Sequence, residues 1–222
     1  MTRVYYKQPS GVEFEIDLRD PRVAALLAWL WPGAGHFYQR RFLKGFIFMV
    51  GILSLFFYGL LIGQGRVVYA SFRPNDFRWQ YFCQAGFGTP AIFAFVQKLK
   101  TDGGGDPLLV LCDRYPPGAI VEGKLVEYDV IPKGSNFSEK RLKDGLMAPP
   151  FIVEDPNKND VLGMWHSAMK QLYDIGTIFT LVAGLLNFLA VYDAFAGPLV
   201  PNSAKGRAGG QKQDEPKEDS DS

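Results

Sequence analysis

Between Lys44 and Arg66 the chain runs for twenty-one residues, "GFIFMVGILSLFFYGLLIGQG", without a charged side chain. A helix needs about 20 such residues to cross a hydrocarbon core of roughly 30 Å, so this run predicts a membrane span and sets the class of fold. A second uncharged run, "IGTIFTLVAGLLNFLAVY", lies between Asp174 and Asp193 and predicts another. The overall composition would not have said so. With 47% hydrophobic residues and a mean hydropathy of −0.02, the averages suit an ordinary soluble domain and hide a mosaic.

Two further apolar runs are less regular. "VAALLAWLWPGAGHFYQ" is short for a span and is broken by Pro32, which lacks a helical donor and biases Trp31 away from the helical region, and by Gly33 and Gly35, which permit a tight turn. Trp29, Trp31, Phe37 and Tyr38 suit the aromatic belt of a membrane interface, and Arg40, Arg41 and Lys44 suit phospholipid headgroups. "WQYFCQAGFGTPAIFAFVQ" is interrupted by Gly86, Gly88 and Pro90, breakers that membrane helices tolerate when neighbours satisfy the freed backbone. Counting both gives an α-helical integral membrane protein of about four transmembrane helices, near 22–38, 43–64, 79–98 and 173–199. If the first helix instead dips in and returns at Pro32-Gly33, Arg40 and Arg41 lie on the same side as the N-terminus.

Residues 1–20 read as an extended arm, with alternation around Val12, Phe14 and Ile16, and Asp20-Pro21 reads as a helix start. Polar and mixed in charge, this stretch does not resemble a cleaved signal peptide. Residues 99–172 form a small β-rich extramembrane domain in which "LLVLCD", "AIVEGKLVEYDVI" and "FIVED" are the strands. Ser138 to Gly145 is predicted as a brief helix, and "VLGMWHSAMKQLYDIG" as an amphipathic lead into the last span. The tail, 200–222, carries nine charges of mixed sign and no large apolar residue after Val200, the pattern of a disordered segment.

The stretch "LLAWLWPGAGHFYQRRFLKGF" resembles the hairpin of two-transmembrane-helix domain proteins, which carry a Gly-rich turn followed by His or Arg, Phe and Tyr. Together with "GTIFTLVAGLLNFLAVYDAFAGP" it looks still more like an uncharacterised bacterial membrane-protein family associated with planctomycetes. The resemblance covers roughly residues 20–66 and 173–198. It implies a multi-pass protein of a bacterial inner membrane, and no activity.

Site chemistry is sparse. His36 and His166, Cys83 and Cys112 show no metal-ligand spacing, and no phosphate loop, dinucleotide fingerprint or Ser-His-Asp order is present. No metal, cofactor or nucleic-acid partner is expected, and the chain reads as a non-enzyme more readily than as an enzyme. The candidate functional turn is Pro32, Gly33, Gly35, His36, Tyr38, Arg40 and Arg41. Candidate helix-packing positions are Gly59, Gly63, Gly184 and Asn187, small or amide residues that let apolar helices approach and hydrogen-bond. Asp174 and Asp193 stand nineteen helical residues apart, roughly 28 Å, and cannot share a proton. The leading functional expectation is a scaffold or assembly component, with the bilayer and a membrane protein or a second copy of the chain as partners. The alternatives are a small transporter or channel using His36 and Asn187, and a lipid-acting enzyme using His36 with Arg40 and Arg41.

Overall fold

The computed structural model describes residues 2–7, 13–18, 20–73, 76–116, 119–126, 129–135, 137, 141–150 and 161–197. The tail from 198 onward, the "FIVED" run at 151–155 and the proposed helix cap Ser138 lie outside them. The chain opens with an antiparallel pair, β1 (Thr2–Lys7) and β2 (Glu13–Leu18), in the register Val4 with Ile16. Helix α1 (Pro21–Leu30) follows, and its start has the physics read from Asp20-Pro21. The Asp20 carboxylate accepts from the backbone N–H of Arg22, and Pro21 occupies a position where no helical donor is needed.

Helix α1 stops at Trp31, whose extended backbone precedes Pro32. The chain turns on Gly33, at φ 81°, into the short α2 (Ala34–Tyr38). The long α3 (Phe42–Ile62) then buries Gly45, Ile52, Phe56 and Gly59, one face at helical spacing. Next come a buried non-helical segment, Val67 to Ser71, the small pair β3 (Phe72–Arg73) and β4 (Asp76–Phe77), and two more helices, α4 (Gln80–Gln84) and α5 (Gly88–Asp102). In the following domain β5 (Val110–Arg114) pairs with β8 (Leu142–Gly145), around a hairpin of β6 (Ala119–Val121) and β7 (Lys124–Val126). Helix α6 (Val161–Met169) breaks at Lys170, at φ 49°, and α7 (Gln171–Ala196) completes the fold.

Helix α7 is the hub against which α1, α2, α3, α4 and α6 all pack. It runs antiparallel to α3. Near one end Gly59 and Gly176 face each other so closely that a Cβ on either would come within 2.8 Å of the other's carbonyl oxygen; at the other end Lys44 meets Asp193. Helix α1 starts at the Asp193 end, where Ala24 and Ala28 cluster with Ala194, and reaches only to Asn187 before reversing. Helix α2 returns beside it, with Gly35 against the Ala24 carbonyl. From the opposite end, α4 runs inward until Gly86 meets Gly184, the chain reverses at Phe87, and α5 returns to the Arg73–Asp102 ion pair.

Two expectations therefore change. Among the described residues two helices, not four, are long and apolar enough to cross a membrane, α3 and α7. The other apolar runs are split, 22–38 into α1 and α2 and 79–98 into α4 and α5, because their Pro and Gly residues reverse the chain rather than kink it. The helix predicted from Ser138 to Gly145 is also replaced: Leu142–Gly145 is a strand, since an available partner in β5 outweighs a weak local helical pattern.

Candidate functional site

At the Asp193 end the turn residues and α7 build one polar cluster. His36, fully buried, lies with Nε2 2.8 Å from Asp193 Oδ2; facing a carboxylate, Nε2 carries the proton and donates. Lys44 Nζ donates to Asp193 Oδ1 at 2.6 Å, and Arg41 Nη1 lies 3.4 Å from Oδ2. Gln39 adds a bond from Nε2 to the Ala194 carbonyl at 2.6 Å. The His36 ring also packs on Phe48, with centroids 4.9 Å apart. One carboxylate thus serves three basic side chains from a segment about 150 residues away in sequence.

The glycines of the turn make this convergence possible. A Cβ on Gly33 would strike the Gly45 carbonyl, and one on Gly35 the Ala24 carbonyl, so the α1–α2 reversal sits tightly between neighbours. Of the candidate turn residues, Pro32, Gly33, Gly35 and His36 are buried, Tyr38 and Arg41 half-buried, and Arg40 is exposed at φ 61°. Tyr38 packs against the Ala24–Ala194 cluster.

A second polar group lies midway along α7. Asn187 is fully buried, and its Nδ2 donates to Gly86 O at 2.8 Å and to Ala28 O at 3.0 Å, with Trp29 O at 3.4 Å. The residue four beyond Ala28 is Pro32, which has no N–H, so the Ala28 carbonyl is an orphan of the helix end. The two reversals complete each other in the same way: Trp29 Nε1 donates to Ala85 O at 2.9 Å, and Thr89 Oγ1 to Leu30 O. Gly63 abuts Val67, and Gly184 receives the Cys83 carbonyl. These contacts lie within one chain.

A third group was not anticipated. Arg78, buried, donates through Nη1 to Tyr173 OH at 2.7 Å and Tyr69 OH at 3.3 Å, and through Nη2 to Val67 O at 2.8 Å and Thr177 Oγ1 at 3.3 Å. Its guanidinium lies 4.3 Å from the Tyr69 ring centroid. Gln84 Nε2 joins in, to Val67 O and Thr180 Oγ1. Together Arg78 and Gln84 supply two side-chain donors to the Val67 carbonyl of the non-helical Val67–Ser71 segment. Outside the apolar helices, Asp144 accepts from Arg114 Nε at 2.5 Å and lies 3.3 Å from Arg66 Nη2, tying the β-domain to the end of α3.

His36 and Asn187 are not neighbours, since Asn187 and Asp193 are six residues apart on α7, about 9 Å. Asp174 and Asp193 stand at opposite ends, Asp174 beside His166 and Asp193 beside His36. Cys83 and Cys112 are free thiols. Among the described residues no group of three or more His, Cys, Asp or Glu is placed to hold a metal.

The fold and its polar clusters define a helical chain with two helices long enough for a membrane and two short helical hairpins interlocked between them. The chain belongs to the family of unknown function DUF6677, whose family model matches residues 23–207. No curated protein and no solved structure matches it.

Proposed function

We propose that this protein is a multi-pass component of a bacterial cytoplasmic membrane with a non-catalytic, scaffolding role. Helices α3 and α7 are its two full spans; α1–α2 and α4–α5 enter the bilayer from opposite faces and meet at Asn187. The observation that carries this reading is the inversion of polarity on the spans. In the most apolar stretch of α3 only 28% of residues are buried in the protein, and 39% in that of α7, whereas a soluble core helix would be mostly covered. Phe46, Ile47, Leu61, Phe188 and Leu189 point outward, while Thr177, Thr180 and Asn187 point inward. Lipid is the environment in which that arrangement is stable.

The inward polar groups bond helix to helix and orphaned carbonyl to side chain. That use favours a rigid scaffold over a transport path, and the β-domain at the Asp174 end supplies a surface for assembly. Sidedness tests the reading. Single cysteines replacing Arg22 and Arg40, in a chain with Cys83→Ser and Cys112→Ser, should react with an impermeant maleimide from the same face of a sealed membrane, and cysteines replacing Phe77 and Lys100 from the other. Arg22 and Arg40 labelling from opposite faces, with Phe77 and Lys100 also on opposite faces, would restore four spans; release of the whole chain by alkaline carbonate would remove the membrane assignment.

A further inference from the structure

Three basic side chains around the α2–α3 turn share one carboxylate, Asp193. Arg41 and Lys44 both turn to Asp193, together with His36, so one carboxylate faces two permanent cations. Arg40 adds a third, exposed on the left-handed turn just before α3. These three cations and one carboxylate leave a surplus of two positive charges among themselves, and the described pair Asp20 and Arg22 at the start of α1 cancels. The helix surface next to them is apolar and open: Phe42 is 63% and Leu43 76% exposed, and Ile47 continues the face one turn on. A cationic edge bordering an uncovered apolar face matches both parts of an amphiphile with an anionic head, whereas a free anion matches only the edge and a lipid without net charge gains less from it.

We propose that Arg40, Arg41 and Lys44 bind the headgroup phosphate of an anionic phospholipid whose acyl chains lie along Phe42, Leu43 and Ile47. The inference rests on the membrane reading above and adds a lipid preference to it. On this assignment Asp193 is a positioning residue: it draws Lys44 and Arg41 into one patch while His36 fixes the carboxylate from the buried side.

The test uses the full chain purified in a neutral detergent, its thermal unfolding followed during titration with phosphatidylglycerol, phosphatidylcholine or inorganic phosphate. Phosphatidylglycerol should raise the midpoint saturably, and the other two should not at equal concentration. Arg40→Asn removes the exposed charge with a residue that tolerates a left-handed backbone. It should weaken half-saturation about fivefold, the equivalent of about 1 kcal/mol for one basic residue at an anionic surface. Lys44→Gln should weaken it further. An equal response to phosphatidylcholine or to inorganic phosphate, or an unchanged response in Arg40→Asn, would overturn the proposal. A chain that resists carbonate extraction but shows no anionic preference loses this inference alone, whereas a chain released by carbonate loses the membrane reading with it.

Discussion

Replacing Asn187 by leucine removes the group that holds the two hairpins together. The side chain keeps a similar volume but loses both amide donors, leaving Gly86 O and Ala28 O without partners. Neither has an alternative close by, since the Ala28 carbonyl faces Pro32 across a helix end. A buried polar group deprived of its partner costs about 1–3 kcal/mol, giving about 2–6 for two carbonyls. Hydrogen bonds between membrane helices measure lower, about 0.6 kcal/mol on average and up to about 1.7, because the unfolded chain in lipid finds other partners. The two scales meet near about 2 kcal/mol, close to a thirtyfold fall in the ratio of folded to unfolded protein. Reversible unfolding in mixed micelles, followed by circular dichroism, would measure it, with the outward-facing Leu185→Ala as a control that should stay within about 0.5 kcal/mol. If Asn187→Leu also stayed within that margin, the argument that interlocked carbonyls hold these reversals in place would be wrong.

Arg78→Lys keeps the charge but cannot reach four oxygens from one planar fork; thermal melts should show a loss of about 2–3 kcal/mol, and a melt like the parent's would contradict a keystone role. Gly59→Leu should abolish folded protein on size-exclusion chromatography, because its Cβ meets Gly176 O at 2.8 Å. Gly51→Ala meets nothing within 4 Å and should leave stability equal or raise it by up to about 1 kcal/mol. At the outer end of α5, burial works to raise the Asp102 carboxyl, but the hydrogen bond from Lys98 and the charge of Arg73 outweigh it and hold it below the usual carboxylate range. A depressed carboxyl adds stability above its unfolded pKa and loses it as pH falls through the folded value. Unfolding midpoints of the parent should therefore drop on acidification below about pH 4 by more than those of Asp102→Asn, and parallel profiles would refute the linkage.

The sequence by itself determined the features that depend on length and local composition. The charge-free runs became α3 and α7, because long apolar helices need no partner to be recognised. Asp20-Pro21 began α1, because its cap is made two residues away. The β-rich run "AIVEGKLVEYDVI" holds a hairpin that turns across Glu122-Gly123. Four spans were expected because hydropathy records how apolar a stretch is and not which way the chain leaves it. Whether Pro32 kinks a helix or reverses it depends on partners for the carbonyls it orphans, and those come from Asn187 and Thr89, some 60 to 160 residues on. The cluster at Asp193 was hidden for the same reason. His36, Arg41 and Lys44 were visible as a basic turn and Asp193 as a lone acid in an apolar run, but only the α1–α2 reversal together with the antiparallel packing of α3 on α7 brings them together. Arg78 had no signal beyond being a charge among aromatics, since its acceptors come from Val67, Tyr69, Tyr173 and Thr177. Burial and backbone satisfaction are properties of the packed chain, and only the tertiary structure could decide them.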